Sequence, residues 1–180
     1  MNKSFFLLIL FLVLVSCDKD EPKEYVFFLV EDVTGTHDDS YILPLTTQAD
    51  IEQARAILAN PDEFKIIVAE ITKKNSPAHY YPNKDLNNDR EWSWHVSKFI
   101  GFADITVEIY DGWPEYVEDH YDAWVENTKN ENGNGVIGFW NYTVTREVDL
   151  RLEEKTSVRR RRSEASEGAL PYFDFLPIPN

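Results

Sequence analysis

Cysteine occurs once in 180 residues, methionine once and glycine seven times, while 18 basic residues face 32 acidic ones. Each shortage removes a class of function. With Cys17 alone, the chain can close no internal disulfide and build no cysteine-ligated zinc site. A formal net charge of −14 repels nucleic acid phosphates and anionic lipid headgroups, so neither is expected as a partner of the main domain. There is no Gly-x-Ser-x-Gly elbow, no glycine-rich phosphate loop and no paired-histidine metal motif. Cations, basic proteins and neutral glycans remain as ligand classes.

The longest apolar run opens the chain. Met1-Asn2-Lys3 is a short basic start, Phe5 to Val15 carries no polar side chain, and Ser16-Cys17 closes the stretch. These are the three regions of a secretory signal, and the run falls short of the roughly 20 residues of a permanent span. Leu14-Val15-Ser16-Cys17 resembles a bacterial lipobox, in which the signal is cut before an acylated cysteine. Cys17 is therefore the expected lipidation site, and acyl chains worth about 0.8 kcal/mol per buried methylene hold the mature protein on its membrane. An acylated Cys17 also leaves no thiol nucleophile. Asp18-Lys19-Asp20-Glu21 resembles the surface-export signal of Bacteroidetes lipoproteins. The resemblance implies an outer-membrane lipoprotein facing outward, with a periplasm-facing one as the alternative.

Four segments follow: a signal over 1–16, an acylated cysteine and acidic tether over 17–23, one folded domain over 24–152, and a tail over 153–180. Within the domain, Tyr25 to Val30 and Tyr41 to Leu45 read as two strands of a hairpin about turn-forming residues Thr34 to Ser40. Thr47 and Asp50 approximate a capping box ahead of Ile51, Ala54, Ile57 and Leu58 at helical spacing, and Asn60-Pro61 ends that helix. Phe64 to Ile71 is a central strand, and Lys73 to Glu91 a long polar loop. Trp92, Trp94 and Val96 alternate with Ser93, His95 and Ser97, and Ile105, Val107 and Ile109 repeat the alternation in a further strand. From Pro114, Val117, His120, Tyr121, Trp124 and Val125 stripe an acidic helix, with His120 on its apolar side. Val136 to Val148 is a last long strand after an Asn/Gly turn. The order β-β-α-β-β-β-α-β predicts an α+β fold, a mostly antiparallel sheet with two helices packed on one face. The tail joins Arg159 to Arg162 to a proline-punctuated aromatic end, a composition expected to be disordered unless the arginines meet an acidic surface.

Candidate sites are few. Asp85, Asn87 and Asp89 offer oxygens at alternate positions, as the first half of a calcium loop does, but Arg90 stands where glycine is needed and Val96 where a bidentate glutamate belongs. His95, facing away from Trp92 and Trp94, would meet Glu108 or Asp111 if the strands pair as read, giving an acid/base pair of the hydrolase kind. A strand histidine more often satisfies a structural hydrogen bond. Trp113, beside Gly112 and Pro114, is expected to be partly exposed and, with Trp92 and Trp94, to offer aromatic faces to a glycan. Core packing is the competing role for those strand tryptophans.

Six segments, "IEQARAIL" (51–58), "IIVAEITK" (66–73), "WSWH" (92–95), "ADITVEIYD" (103–111), "YVEDH" (116–120) and "TREV" (145–148), together resemble a family of small secreted domains. The family takes its name from the N-terminal domain of a slime-mould calmodulin-binding protein. The resemblance spans about residues 25–148 and implies a secreted binding module without established catalytic residues. Tyr110 stands where the family has a cysteine, and Gly138-Phe139-Trp140 lacks a second, so the resemblance implies a lost disulfide. The loop from Tyr81-Pro82 to Trp92 is also longer. Calmodulin is not expected as a partner, since it takes basic amphipathic helices and the two helices here are short or acidic.

These readings favour a lipid-anchored, non-enzymatic envelope module that binds a protein or a glycan and needs no cofactor. The alternatives are a calcium-dependent adhesive module using Asp85 to Glu91, and a hydrolase-like enzyme using His95 with a carboxylate.

Overall fold

Alternating and β-branched segments pair into antiparallel sheets in the computed structural model, which describes residues 24–60, 62–74, 83–104, 111–150 and Arg159. β1 (Val26–Asp32) lies between β2 (Ser40–Leu45) and β8 (Tyr142–Val148), antiparallel to both. The predicted hairpin is thus present. Pro44, which cannot donate to a ladder, sits in β2, an edge strand of this sheet. In a second sheet, β3 (Ile66–Thr72) lies between β6 (His95–Ala103) and β7 (Gly135–Ile137). β4 (Lys84–Asp85) and β5 (Arg90–Glu91) form a small hairpin inside the expected polar loop.

Helix α1 (Gln48–Ala59) starts where the cap predicts: the Thr47 hydroxyl oxygen accepts the Asp50 N–H at 3.2 Å, and the hydroxyl donates to the Asp50 carboxylate at 2.5 Å. Its buried residues Ile51, Ala54 and Ile57 join one large core with Phe28, Tyr41, Ile71, Trp94 and Phe139. That core takes inner faces from both sheets together with Val117 and Trp124 from the helical segment after Pro114, so the α+β class and the element order are as predicted. Trp94 is fully buried and, at about 25 cal/mol per Å² over an aromatic of this size, contributes roughly 4–6 kcal/mol by leaving water.

Three elements depart from expectation. The second helix is two: α2 (Pro114–Asp119) ends at His120, whose backbone (φ −123°, ψ 27°) leaves the helical region before α3 (Tyr121–Thr128) begins. His120 is consequently exposed rather than on the apolar stripe, and its Nδ1 lies 3.0 Å from the Tyr116 carbonyl. The long last strand is also two, because Asn141 adopts φ 63°, a left-handed conformation that asparagine tolerates, and turns the chain from one sheet into the other. Trp92 and Trp94 precede β6, which starts at His95. The strand expected at Ile105, Val107 and Ile109, along with Glu108, Tyr110, the expected lipidation residue Cys17 and most of the tail, lies outside the described residues.

Candidate functional site

Two turns meet beside the end of β1. In the first, the Asp32 carboxylate accepts the Thr34 N–H at 2.7 Å, the Thr34 hydroxyl at 2.6 Å and the His37 N–H at 3.0 Å, while Gly35 takes φ +71°. Burial opposes its ionisation, but the Thr34 and His37 hydrogen bonds outweigh that and hold the Asp32 pKa below its ordinary value. The second turn joins β4 to β5 around Asp85. Asn87 fastens the two together: its Nδ2 donates to the Glu31 carboxylate at 2.9 Å and to the Asp38 carbonyl at 3.0 Å. The Thr145 hydroxyl donates to the other Glu31 oxygen. Between the turns lies a concavity of about 450 Å³ walled by Glu31, Asp32, His37, Asp38, Asn87 and Asn88, with no lysine or arginine in its lining among the described residues.

Asp85, the leading calcium candidate, has a different task. It is fully buried. One of its oxygens accepts the Ser40 N–H, the Ser40 hydroxyl and the N–H groups of Asn87 and Asn88; the other accepts Asn88 Nδ2 and Arg90 Nε. A calcium loop needs the lone pairs of its first aspartate turned to the ion, and here protein donors occupy them. Asn87 is likewise engaged, whereas Asp89 is exposed at φ 48°. No cluster of three or more histidine, cysteine or acidic side chains suited to a metal occurs among the described residues.

The same framework positions α2. Trp113, at the N-cap of α2, has no side-chain capping bond, but Asp39 supplies one from just before β2 by accepting the Glu115 N–H at 2.8 Å. The other Asp39 oxygen accepts the Tyr142 hydroxyl. Asp39 is 2% exposed, and burial raises its pKa against the pull of those two donors. Arg90 reaches from Asp85 to Glu115 at 2.8 Å and lies over the Trp92 ring, 4.2 Å from its centroid. On the outer side, the His37 ring stacks on half-buried Trp113 with centroids 4.4 Å apart and 16° between planes.

The other predicted residues do not converge on a site. His95 is 7% exposed, burial lowers its pKa, and its Nε2 meets no hydrogen-bond partner among the described residues. Across the ladder it faces Thr72, not a carboxylate, because β6 pairs with β3. Asp111 is exposed, and the strand that would have carried Glu108 beside His95 lies outside the described residues. Trp92 and Trp94 are core residues rather than ligand faces: they stack on each other 6.0 Å apart, and the Trp92 N–H donates to the Ser40 carbonyl at 2.8 Å. Of the five tryptophans only Trp140 is exposed, so no tryptophan platform forms. Glu31, Asp32, Asp38 and Asn88, which do wall the concavity, were not singled out by sequence reasoning. The available signal was oxygen-rich composition in two turns, which does not reveal that the turns touch.

No curated protein matches the chain, and no solved structure does. The family model described as the BP-74 N-terminal domain matches residues 24–151, which takes in every strand and helix described above. The chain belongs to the BP-74 N-terminal domain family.

Proposed function

We propose that this protein is a lipid-anchored, non-enzymatic binding module of the bacterial cell envelope, fixed to the outer membrane through Cys17 and presenting its domain outward. The observation that carries the binding reading is the shallow, open concavity between the β1–β2 and β4–β5 turns, which are held in place by Asp32, Asp85 and Asn87. A preorganised surface lowers the ordering cost of ligand capture. His95 is enclosed and, among the described residues, faces Thr72 rather than a carboxylate, which supplies no acid/base pair in support of hydrolysis. The ligand belongs to the protein or glycan class.

The test of the anchor is labelling with radioactive palmitate in the native host, with protease digestion of intact cells. Label incorporated by the wild type and lost in Cys17→Ala, together with cleavage of the domain by external protease, supports the reading. A protein that takes no label and is released in soluble form removes it.

A further inference from the structure

Asparagine is followed directly by glycine at Asn132-Gly133 and again at Asn134-Gly135, between the end of α3 and the start of β7. Glycine lacks the Cβ that shields a backbone nitrogen, so in such a pair that nitrogen can reach the side-chain carbonyl carbon of the asparagine before it. The sequence gives the two pairs equal standing, and their surroundings separate them. Asn134 is held: its Nδ2 donates to the buried Glu70 carboxylate at 3.0 Å, and its backbone N–H donates to the Asn130 side-chain oxygen at 3.2 Å. Gly135 is buried in β7 opposite Ile71. A Cβ at Gly135 would stand 3.0 Å from Val125 Cγ2 and 3.3 Å from Ile71 Cγ1, so this backbone has little room to swing toward a side chain. Asn132 and Gly133, in contrast, are both exposed. Asn132 donates its backbone N–H to the Asn130 side-chain oxygen at 2.9 Å, and its carboxamide has no hydrogen-bond partner among the described residues. Gly133 takes φ +75°, with nothing within 4 Å of the place a Cβ would occupy. Its N–H donates to the Asn130 carbonyl at 2.9 Å, a bond in an exposed turn, where local opening costs far less than in the core.

We infer that Asn132 is a site of self-modification, converting to aspartate and isoaspartate through a cyclic imide while Asn134 is spared. The Gly133 nitrogen gives up its proton to hydroxide and bonds to Cγ of Asn132. The bond from Cγ to Nδ2 breaks, and that nitrogen takes up a proton and leaves as ammonia. Water then opens the ring. Cleavage between the ring nitrogen and Cγ gives aspartate, and cleavage between the ring nitrogen and the backbone carbonyl carbon gives isoaspartate. One water is consumed and one ammonia released, with no change of oxidation state. The rate rises with pH, because the amide nitrogen attacks only once deprotonated. Either product adds a negative charge beside Glu131. Isoaspartate also adds a methylene to the main chain, inside the turn that Asn130 holds and that brings Asn134 to Glu70.

The test incubates the full-length protein, purified in detergent, at neutral and at mildly alkaline pH. Peptide mass spectrometry follows Asn132 and Asn134 separately, with fragmentation that distinguishes aspartate from isoaspartate. Conversion at Asn132 at least about tenfold faster than at Asn134, quicker at the higher pH and yielding both products, is the expected result. The same protein unfolded in urea should lose most of that preference, since Glu70 and β7 then no longer hold the second pair. An Asn132 that stays intact in the folded protein would overturn the site, whatever the unfolded chain does. Equal rates at Asn132 and Asn134 in the folded protein would overturn the selection by structure. Aspartate formed without isoaspartate would overturn the cyclic route.

Discussion

Ser40 donates twice to the same oxygen of Asp85, from its backbone N–H at 3.1 Å and its hydroxyl at 2.9 Å, across 45 positions of sequence. The Ser40 hydroxyl oxygen in turn accepts the Leu86 N–H at 3.0 Å. The outer edge of β2 is thereby tied to the β4–β5 turn by side chains, where no strand is hydrogen-bonded to it in a ladder among the described residues.

Asp85→Ala removes the acceptor for Ser40, Asn87, Asn88 and Arg90 at once. Loss of one partner of a buried charged network costs about 3–5 kcal/mol. Urea denaturation should show that loss, and it should be the same with calcium as with chelator, because the carboxylate serves the turn. A loss confined to calcium-containing buffer would restore Asp85 as a metal ligand.

Asp39 gives a pH dependence of known sign. Burial raises its folded-state pKa above the ordinary 3.8, so its contribution to stability is complete below that value and is lost as pH rises through the folded pKa. Removing the titrating group with Asp39→Asn should leave a variant whose melting temperature changes less than that of the wild type over that interval. Parallel pH profiles of melting temperature for the two proteins, from about pH 3 to pH 7, would contradict this.

Glu70 should show the opposite sign. It is 5% exposed, and the Asn134 hydrogen bond, followed by those from Asn130 and Lys98, lowers its pKa below the ordinary 4.5 against the effect of burial. Its contribution is present above 4.5 and disappears as pH falls through the folded value. Glu70→Gln should be less stable than the wild type at neutral pH, and the gap should close on acidification. Melting temperatures that differ by a constant amount at every pH would rule out the linkage.

Gly112 owes its identity to Trp124. A Cβ at Gly112 would stand 2.4 Å from Cζ3 of the Trp124 ring, and Trp124 is only 5% exposed, so the ring has little room to retreat. Gly112→Ala should cost about 1–3 kcal/mol by overpacking, read as a shift in denaturation midpoint with unchanged slope. An unshifted midpoint would mean that the ring repacks freely.

Much of the fold is legible in local pattern. Short apolar, β-branched runs located β1, β2 and β3, Thr47 and Asp50 located the start of α1, and Pro114 the start of α2. Breaks inside long periodic runs were not legible: the helix interruption at His120 and the sheet change at Asn141 each depend on one residue's backbone angles, which hydrophobic spacing does not record. The site was the least legible part. Alternate oxygens in Asp85 to Asp89 look the same whether they point at an ion or at protein donors, and only the arrival of Ser40 decides between them.

The sequence by itself determined the element order, the family and the acidic balance, because these rest on near neighbours, periodicity and composition. Tertiary structure alone decided that Asp85 and Asp39 are buried hubs, that His95 faces Thr72, and that the turns at Asp32 and Asp85 flank an open concavity. Those outcomes follow from hydrogen-bond demands satisfied between segments tens of residues apart. A polar group leaving water must find its partner wherever the fold places one, and no local pattern names that partner in advance.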